Sequence, residues 1–125
     1  MAVAAGLVVS RRRRVEIIVH AGPDEVWVVP ISGADAFPRH RSEVPIDSHA
    51  EAIACGITVR FPVVRCHMVH KIKPDLLVPS ERLGIAPEPL VRRILAALRL
   101  EVQRQAMETR LQFARHGDER CVAMT

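Results

Sequence analysis

The run Phe61-Pro62-Val63-Val64-Arg65-Cys66-His67-Met68-Val69-His70-Lys71-Ile72 sets an arginine, a thiol and two imidazoles inside an apolar, β-branched stretch. A guanidinium binds phosphate through paired N–H donors, and an imidazole exchanges protons near neutral pH. Side by side, the two groups grip a phosphodiester and take the proton of an attacking hydroxyl. Read as a strand, the run sends alternate side chains to opposite faces. Arg65 and His67 then share one face, and Cys66, Met68 and His70 share the other. The same alternation argues against a metal site. Cys66 and His67 diverge, so they and His70 converge only through a bulge, and adding Cys55 matches no zinc spacing. No Gly-rich phosphate loop, Ser-His-Asp order or carboxylate pair is present, and no cofactor is expected.

A second cluster is Arg11-Arg12-Arg13-Arg14, a dense cationic turn suited to phosphates. The formal net charge is +4, and of the eighteen basic residues only Lys71 and Lys73 are lysines. Arginine is the residue of bidentate phosphate contacts and base stacking, which favours a nucleic acid or another anionic partner. A GC-rich genome raises arginine at lysine's expense in the same way. Cys55, Cys66 and Cys121 form an odd count with no CxxC spacing, which points to reduced thiols in a cytoplasm. The apolar Ala2–Val9 run is short, and its basic cluster follows it. A secretory leader has the reverse order and a membrane span needs about 20 apolar residues, so the run reads as a strand.

At 125 residues the chain is read as one domain. Strands are expected at Ala4–Val9, Val15–His20, Glu25–Ile31, Ser42–Ile46 and Ile57–Ile72, the last broken at Pro62, with a short extended piece at Glu81–Ile85. Ala21–Asp24 is a turn by composition, and Ser32–Arg41 a loop. Asp47–Gly56 is ambiguous, with Ala50–Cys55 readable as a strand or one helical turn, and Pro74–Val78 reads as a helical turn. From Pro87 to about Ala114 the period changes. Leu90, Val91, Ile94, Leu95, Leu98, Val102, Met107 and Leu111 are spaced as on a helix, with Pro87 and Glu88 suited to its first turn and Gly117 to its end. The expectation is a rolled, mainly antiparallel sheet over residues 1–85, a long helix over 86–116 and a tail over 117–125. Residues 90–111 carry more apolar positions than one small barrel covers, which predicts a homodimer.

Order and spacing together resemble the MazF/PemK (Kid-like) toxins. Val28-Val29-Pro30-Ile31-Ser32 followed by Glu43-Val44-Pro45-Ile46 resembles their two Pro-containing strands. Val63-Val64-Arg65-Cys66-His67 resembles their Val-Val-Arg-Cys-Asp strand, with Pro74-Asp75-Leu76-Leu77 at the short helix beyond it. Leu83–Leu90 resembles their helix start, and Ala96–Leu100 the helix that normally ends their chains. Arg13-Arg14-Val15 and Pro23-Asp24 stand where the family has Arg-Arg-Pro and Ser-Pro-Asp. The likeness covers about residues 13 to 100.

The resemblance implies an SH3-like small barrel of the MazF/PemK/CcdB type, mainly β with a C-terminal helix, that dimerises. It implies metal-independent cleavage of single-stranded RNA by 2′-OH attack, and a cognate antitoxin with an acidic segment as partner. On it, Arg14, Ser32 and Arg65 match catalytic positions, and His67 stands where many relatives carry an acid. Arg65 and Arg14 are expected to hold the phosphate, Ser32 to orient a non-bridging oxygen and His67 to accept the 2′-OH proton. Arg11, Arg12, Arg13, His20 and His70 are expected along the RNA path. The chain departs from the family in its shortened first loop, in Val15, in His67 and in a helix running some fifteen residues further. Two other functions compete: a barrel that only binds RNA or antitoxin, and a CcdB-type gyrase inhibitor, whose C-terminal Trp-Gly-Ile is replaced here by Ala123-Met124-Thr125.

Overall fold

The computed structural model describes residues 3–124, with side chains described through Arg115. β1 (Leu7–Arg11), β2 (Arg14–Ala21) and β3 (Val26–Gly33) form a meander. β4 (Glu43–Pro45) is short. It leads to α1 (His49–Cys55), then β5 (Pro62–Arg65) and β6 (His70–Ile72). A 3₁₀ turn at Pro74–Leu77, β7 (Glu81–Ile85) and α2 (Glu88–Met124) complete the chain. The strands join in one antiparallel sheet, ordered β4-β5-β3-β2-β1-β7, with β6 beside β5 on the flank of β3. Among the described residues seven strands are present where five or six were expected, in the predicted mainly antiparallel arrangement with a C-terminal helix.

The extra strand comes from a break in the run that opened the sequence analysis. β5 pairs with Ile31–Gly33 and β6 with Val26–Val28. Pro30, which has no N–H to give a ladder, lies between the two pairings. Opposite it the chain turns, with Cys66 N–H donating to the Val64 carbonyl and Met68 N–H to that of Arg65. His67 therefore sits in a turn, and the expected shared strand face of Arg65 and His67 is not formed.

Alternation along the strands builds a core on each face of the sheet. Val8, Ile17, Val29, Ile31, Val44 and Val64 pack with Cys55 of α1 and with Leu90 and Ile94 of α2. Leu7, Val9, Ile18, Val26 and Val28 pack with Leu77 of the 3₁₀ turn. Within this ambiguous segment His49–Cys55 is helix, because Ser48 caps α1 by accepting the Glu51 N–H at 3.4 Å and Gly56 closes it at φ +69°. Arg93 on α2 reaches Glu51 on α1 at 2.8 Å, tying the two helices together.

α2 starts at Glu88, one residue past the expected Pro87, and continues through Met124, so Gly117 does not end it. Its 37 residues span about 55 Å. Leu90 and Ile94 are fully buried, whereas Val102, Met107, Leu111 and Phe113 are exposed.

The end of α1 lies directly against β7. A Cβ on Gly84 would stand 2.2 Å from the Ala54 carbonyl oxygen. Backbone cannot yield as a flexible side-chain tip does, so Gly84→Ala is expected to cost about 1–3 kcal/mol. A lowered urea midpoint checks this, and an unchanged midpoint would mean that α1 rides loosely on β7.

Candidate functional site

Arg65 ends β5 opposite Glu43 of β4. Only 1% of Arg65 is accessible to solvent. Its Nη1 is ion-paired with Glu43 Oε1 and also donates to the Pro38 carbonyl at 3.4 Å. Its Nη2 donates to the Gly33 carbonyl at 3.1 Å, and its Nε donates to Ser32 Oγ at 2.9 Å. The Phe37 ring covers it, with the guanidinium carbon 5.4 Å from the ring centre. Every guanidinium nitrogen is engaged, so this side chain organises the β3–β4 loop from within. It does not present a free fork to a phosphate.

That network leaves Ser32 able to act. Its oxygen already accepts from Arg65, so its O–H is directed elsewhere as a donor. Glu43 Oε1 also accepts the His40 N–H at 2.8 Å, which fixes the loop that carries His40. The His40 ring stacks on His67 with centroids 3.8 Å apart and planes 16° from parallel. Ser42 N–H donates to His40 Nδ1 at 3.1 Å, so in the neutral ring the proton is on Nε2.

His67 is half-buried, and its Nδ1 is buried without a hydrogen-bond partner. Burial holds its pKa below the ordinary imidazole value, followed by repulsion from His40 and then Arg65; Glu101 and Glu43 pull the other way. The outcome is an imidazole that stays neutral, and so proton-accepting, below the pH at which a free histidine becomes charged. Glu101 reaches this region from α2. It is buried, bound by Arg41 Nε at 3.1 Å, and held below the usual carboxylate range chiefly by that hydrogen bond. Beneath, burial and then the Glu101 charge push the Cys66 thiol up to about 12, so it is a core group and not a nucleophile.

The other sequence candidates fall in three places. Arg14 is exposed and stands one step beyond the Val15–Ile31 pair, alongside Ser32 on the neighbouring strand. Arg12 and Arg13 form the β1–β2 turn at φ +52° and +65°, a left-handed pair usually left to Asn and Gly. Arg11 is spent on the buried Glu16 at 2.8 Å. His20 is at the opposite end of β2, 4.9 Å from the Trp27 ring, and His70 is exposed on β6. The structure thus joins Ser32 to Arg65, ties His67 to that pair through His40 and Glu43, sets Arg14 beside Ser32 by register, and leaves His20 at the far end of β2.

Sequence reasoning missed His40, Glu43 and Glu101. Two signals were present. Glu43 is an acid on an apolar strand, and Glu101 falls in phase with Leu90 and Ile94, where a buried residue belongs.

No family model matches the sequence, and no curated protein does. A chain in the crystal structure of the MazE–MazF complex from Deinococcus radiodurans matches the structure with a TM-score of 0.62 at 17% identity. The fold is MazF-like. The match covers 98% of that chain and 82% of this one, so about a fifth of this chain lies outside it.

Removing one partner of the Arg65–Glu43 pair leaves a buried, unpaired charge, which typically costs about 3–5 kcal/mol. Arg65→Ala should therefore lower thermal stability sharply. The double variant Arg65→Ala with Glu43→Ala should lose less than the two single losses combined. Additive losses in this double-mutant cycle would show the pair uncoupled.

Proposed function

We propose that the protein is a metal-independent endoribonuclease that cleaves single-stranded RNA, the toxin half of a toxin–antitoxin pair. The observation that carries this is the His40–His67 stack, tied through Glu43 and Arg65 to Ser32 in a MazF-like sheet. In the proposed reaction His67 takes the proton of a ribose 2′-OH as its oxygen bonds to phosphorus. The bond from phosphorus to the 5′-oxygen breaks, and that oxygen is protonated by water. Ser32 donates to a non-bridging oxygen, and Arg14, exposed beside it, pairs with the phosphate charge. Arg65 acts through Ser32 and the loop as a positioning residue, because it is buried and fully bonded. Arg12 and Arg13 draw the strand in, and His70 is placed along its course.

The neighbour's MazE–MazF complex supports an antitoxin as partner, and the basic character of this chain suits an acidic segment of it. The reading also includes a homodimer acting in the cytoplasm. Exposed Leu100, Met107 and Leu111 recur at near-heptad spacing along α2 and provide the dimer seam.

The purified protein should cut a mixed RNA pool equally with and without EDTA, leaving 2′,3′-cyclic phosphate ends. His67→Ala should lose about 10²–10⁴-fold in rate. The wild-type rate should fall as pH drops through the depressed His67 value, below the ordinary ~6.5, since only the neutral ring accepts a proton. His40→Ala removes both cover and like charge, so the same fall should come at higher pH. A His67→Ala variant as fast as wild type would remove His67 from the mechanism, and a wild type that binds RNA without cutting it would make the barrel a binding module.

Light scattering should give a dimer mass, and Met107→Glu with Leu111→Glu should halve it. A monomer in the unmutated protein would remove the dimer from this reading.

A further inference from the structure

In a chain with one Trp, no Tyr and three Phe, it matters where the aromatic rings are placed. Phe37 is 55% exposed and Phe61 is 61% exposed. Each has a guanidinium over its ring: Arg65 at 5.4 Å from the Phe37 centre and Arg60 at 4.9 Å from that of Phe61. The two loops that carry them are joined, because Ala34 N–H donates to the Phe61 carbonyl at 2.9 Å.

Phe61 has a second unusual property. Its φ is +50°, a left-handed conformation that a bulky side chain adopts only when its surroundings impose it. The imposing contacts are the Ala34 bond and, one residue on, Ile46 N–H donating to the Pro62 carbonyl at 2.9 Å. Strain that is held in place this way turns an apolar ring outward, against its hydrophobic preference.

The ring borders an open groove of about 1100 Å³ that also takes in Arg39, Asp47, Ile53 and Val59. A small-molecule pocket is about 300–1,000 Å³, so this groove suits an extended chain better than a compact ligand. The charges narrow the choice of chain. Arg39 is paired with Glu43 Oε2 at 3.4 Å yet exposed over 80% of its side chain, and Arg60 stands beside Phe61, so phosphates have partners. Asp35 and Asp47 line the groove as well. They repel an acidic peptide, whereas they accept hydrogen bonds from the exocyclic amines of nucleobases. Rings with one face on a guanidinium and the rest open to solvent are what bases of a single strand stack upon. Ala34, Asp35 and Arg39 of the loop that carries Phe37 line the groove, and Phe37 itself lies on the Arg65 that holds Ser32.

We propose that Phe37 and Phe61 are base-stacking platforms for single-stranded RNA, seating nucleotides that flank the phosphate held at Ser32. This deepens the ribonuclease reading and rests on it for the placement of the scissile phosphate. Phe37 seats the nearer base, and Phe61 seats one further along the groove. Asp35 and Asp47 favour bases that carry an amino group.

The test uses the full-length protein and a 2′-O-methyl oligoribonucleotide containing 2-aminopurine, which cannot undergo 2′-OH attack. Fluorescence anisotropy reads binding, and the 2-aminopurine emission reads stacking. Phe37→Leu and Phe61→Leu, which keep an apolar side chain and lose the π face, should each weaken binding by about 5- to 150-fold. They should also restore part of the quenched emission. Phe61→Trp should bind as wild type does. An oligomer with abasic sites at the stacked positions should bind the wild type as weakly as the base-bearing oligomer binds the Leu variants. With cleavable RNA, the Leu variants should raise KM and leave kcat nearly unchanged. Leu variants that bind and quench like wild type would overturn the proposal, as would equal affinity for the abasic oligomer. So would Phe-dependent binding of an acidic peptide with no binding of the oligomer. Because the probe cannot be cleaved, base-dependent binding without RNA cleavage would defeat the ribonuclease reading and leave the stacking platforms standing.

Discussion

Arg65 inside the β3–β5 edge is the constraint from which the rest of the site follows. An arginine that is 1% exposed must have every donor met, or the sheet would not close over it. Meeting them draws in a hydroxyl and a carbonyl from β3, a carboxylate from β4 and a loop carbonyl. The loop between β3 and β4 is thereby folded onto the sheet, and His40 is brought over His67. The positive charge that does this is the same one that helps keep His67 neutral. Structure and proton chemistry are therefore coupled through one guanidinium.

Much of the fold was legible because it is written in local patterns. Alternating Val and Ile marked the strands, and the change to helical spacing marked α2 close to its observed start. The segment of α1 stayed open between strand and helical turn, and the structure settles it with Ser48 as the N-cap. What escaped was non-local. The break after Arg65 depends on Pro30 of another strand, and nothing in the β-branched run around it signals a turn. The burial of Arg65 depends on Glu43, twenty-two positions earlier, so an arginine read as a phosphate ligand became a structural centre. Periodicity cannot distinguish these cases, because it reports which face a side chain takes and not what waits there.

The candidate site was legible in its members more than in its geometry. Ser32 and Arg65 are joined by a diagonal hydrogen bond, and His67, in the turn after β5, stacks on His40 instead of sharing a strand face with Arg65. His40 had no sequence signal of its own. Its importance comes from the Ser42 and Glu43 contacts that set its ring, and these exist only once β4 has paired with β5. Depressed basicity and a fixed tautomer are thus products of tertiary structure, reached by a pair of ordinary histidines.

The long helix has a mechanical consequence. Arg41 grips it twice, at Glu101 and at Glu108, and past Glu108 the described side chains of α2 are exposed. The bridge to Glu108 is therefore a fulcrum, and the sixteen residues from there to Met124 form a lever arm of about 24 Å. A tilt of about ten degrees at the fulcrum swings the tip by about 4 Å, which is nearly a helical turn's rise. Glu101, one of the two carboxylates that Arg41 holds, is also the charge felt by Cys66 and His67. A pull on the arm therefore loads the two Arg41 bridges before it loads the sheet.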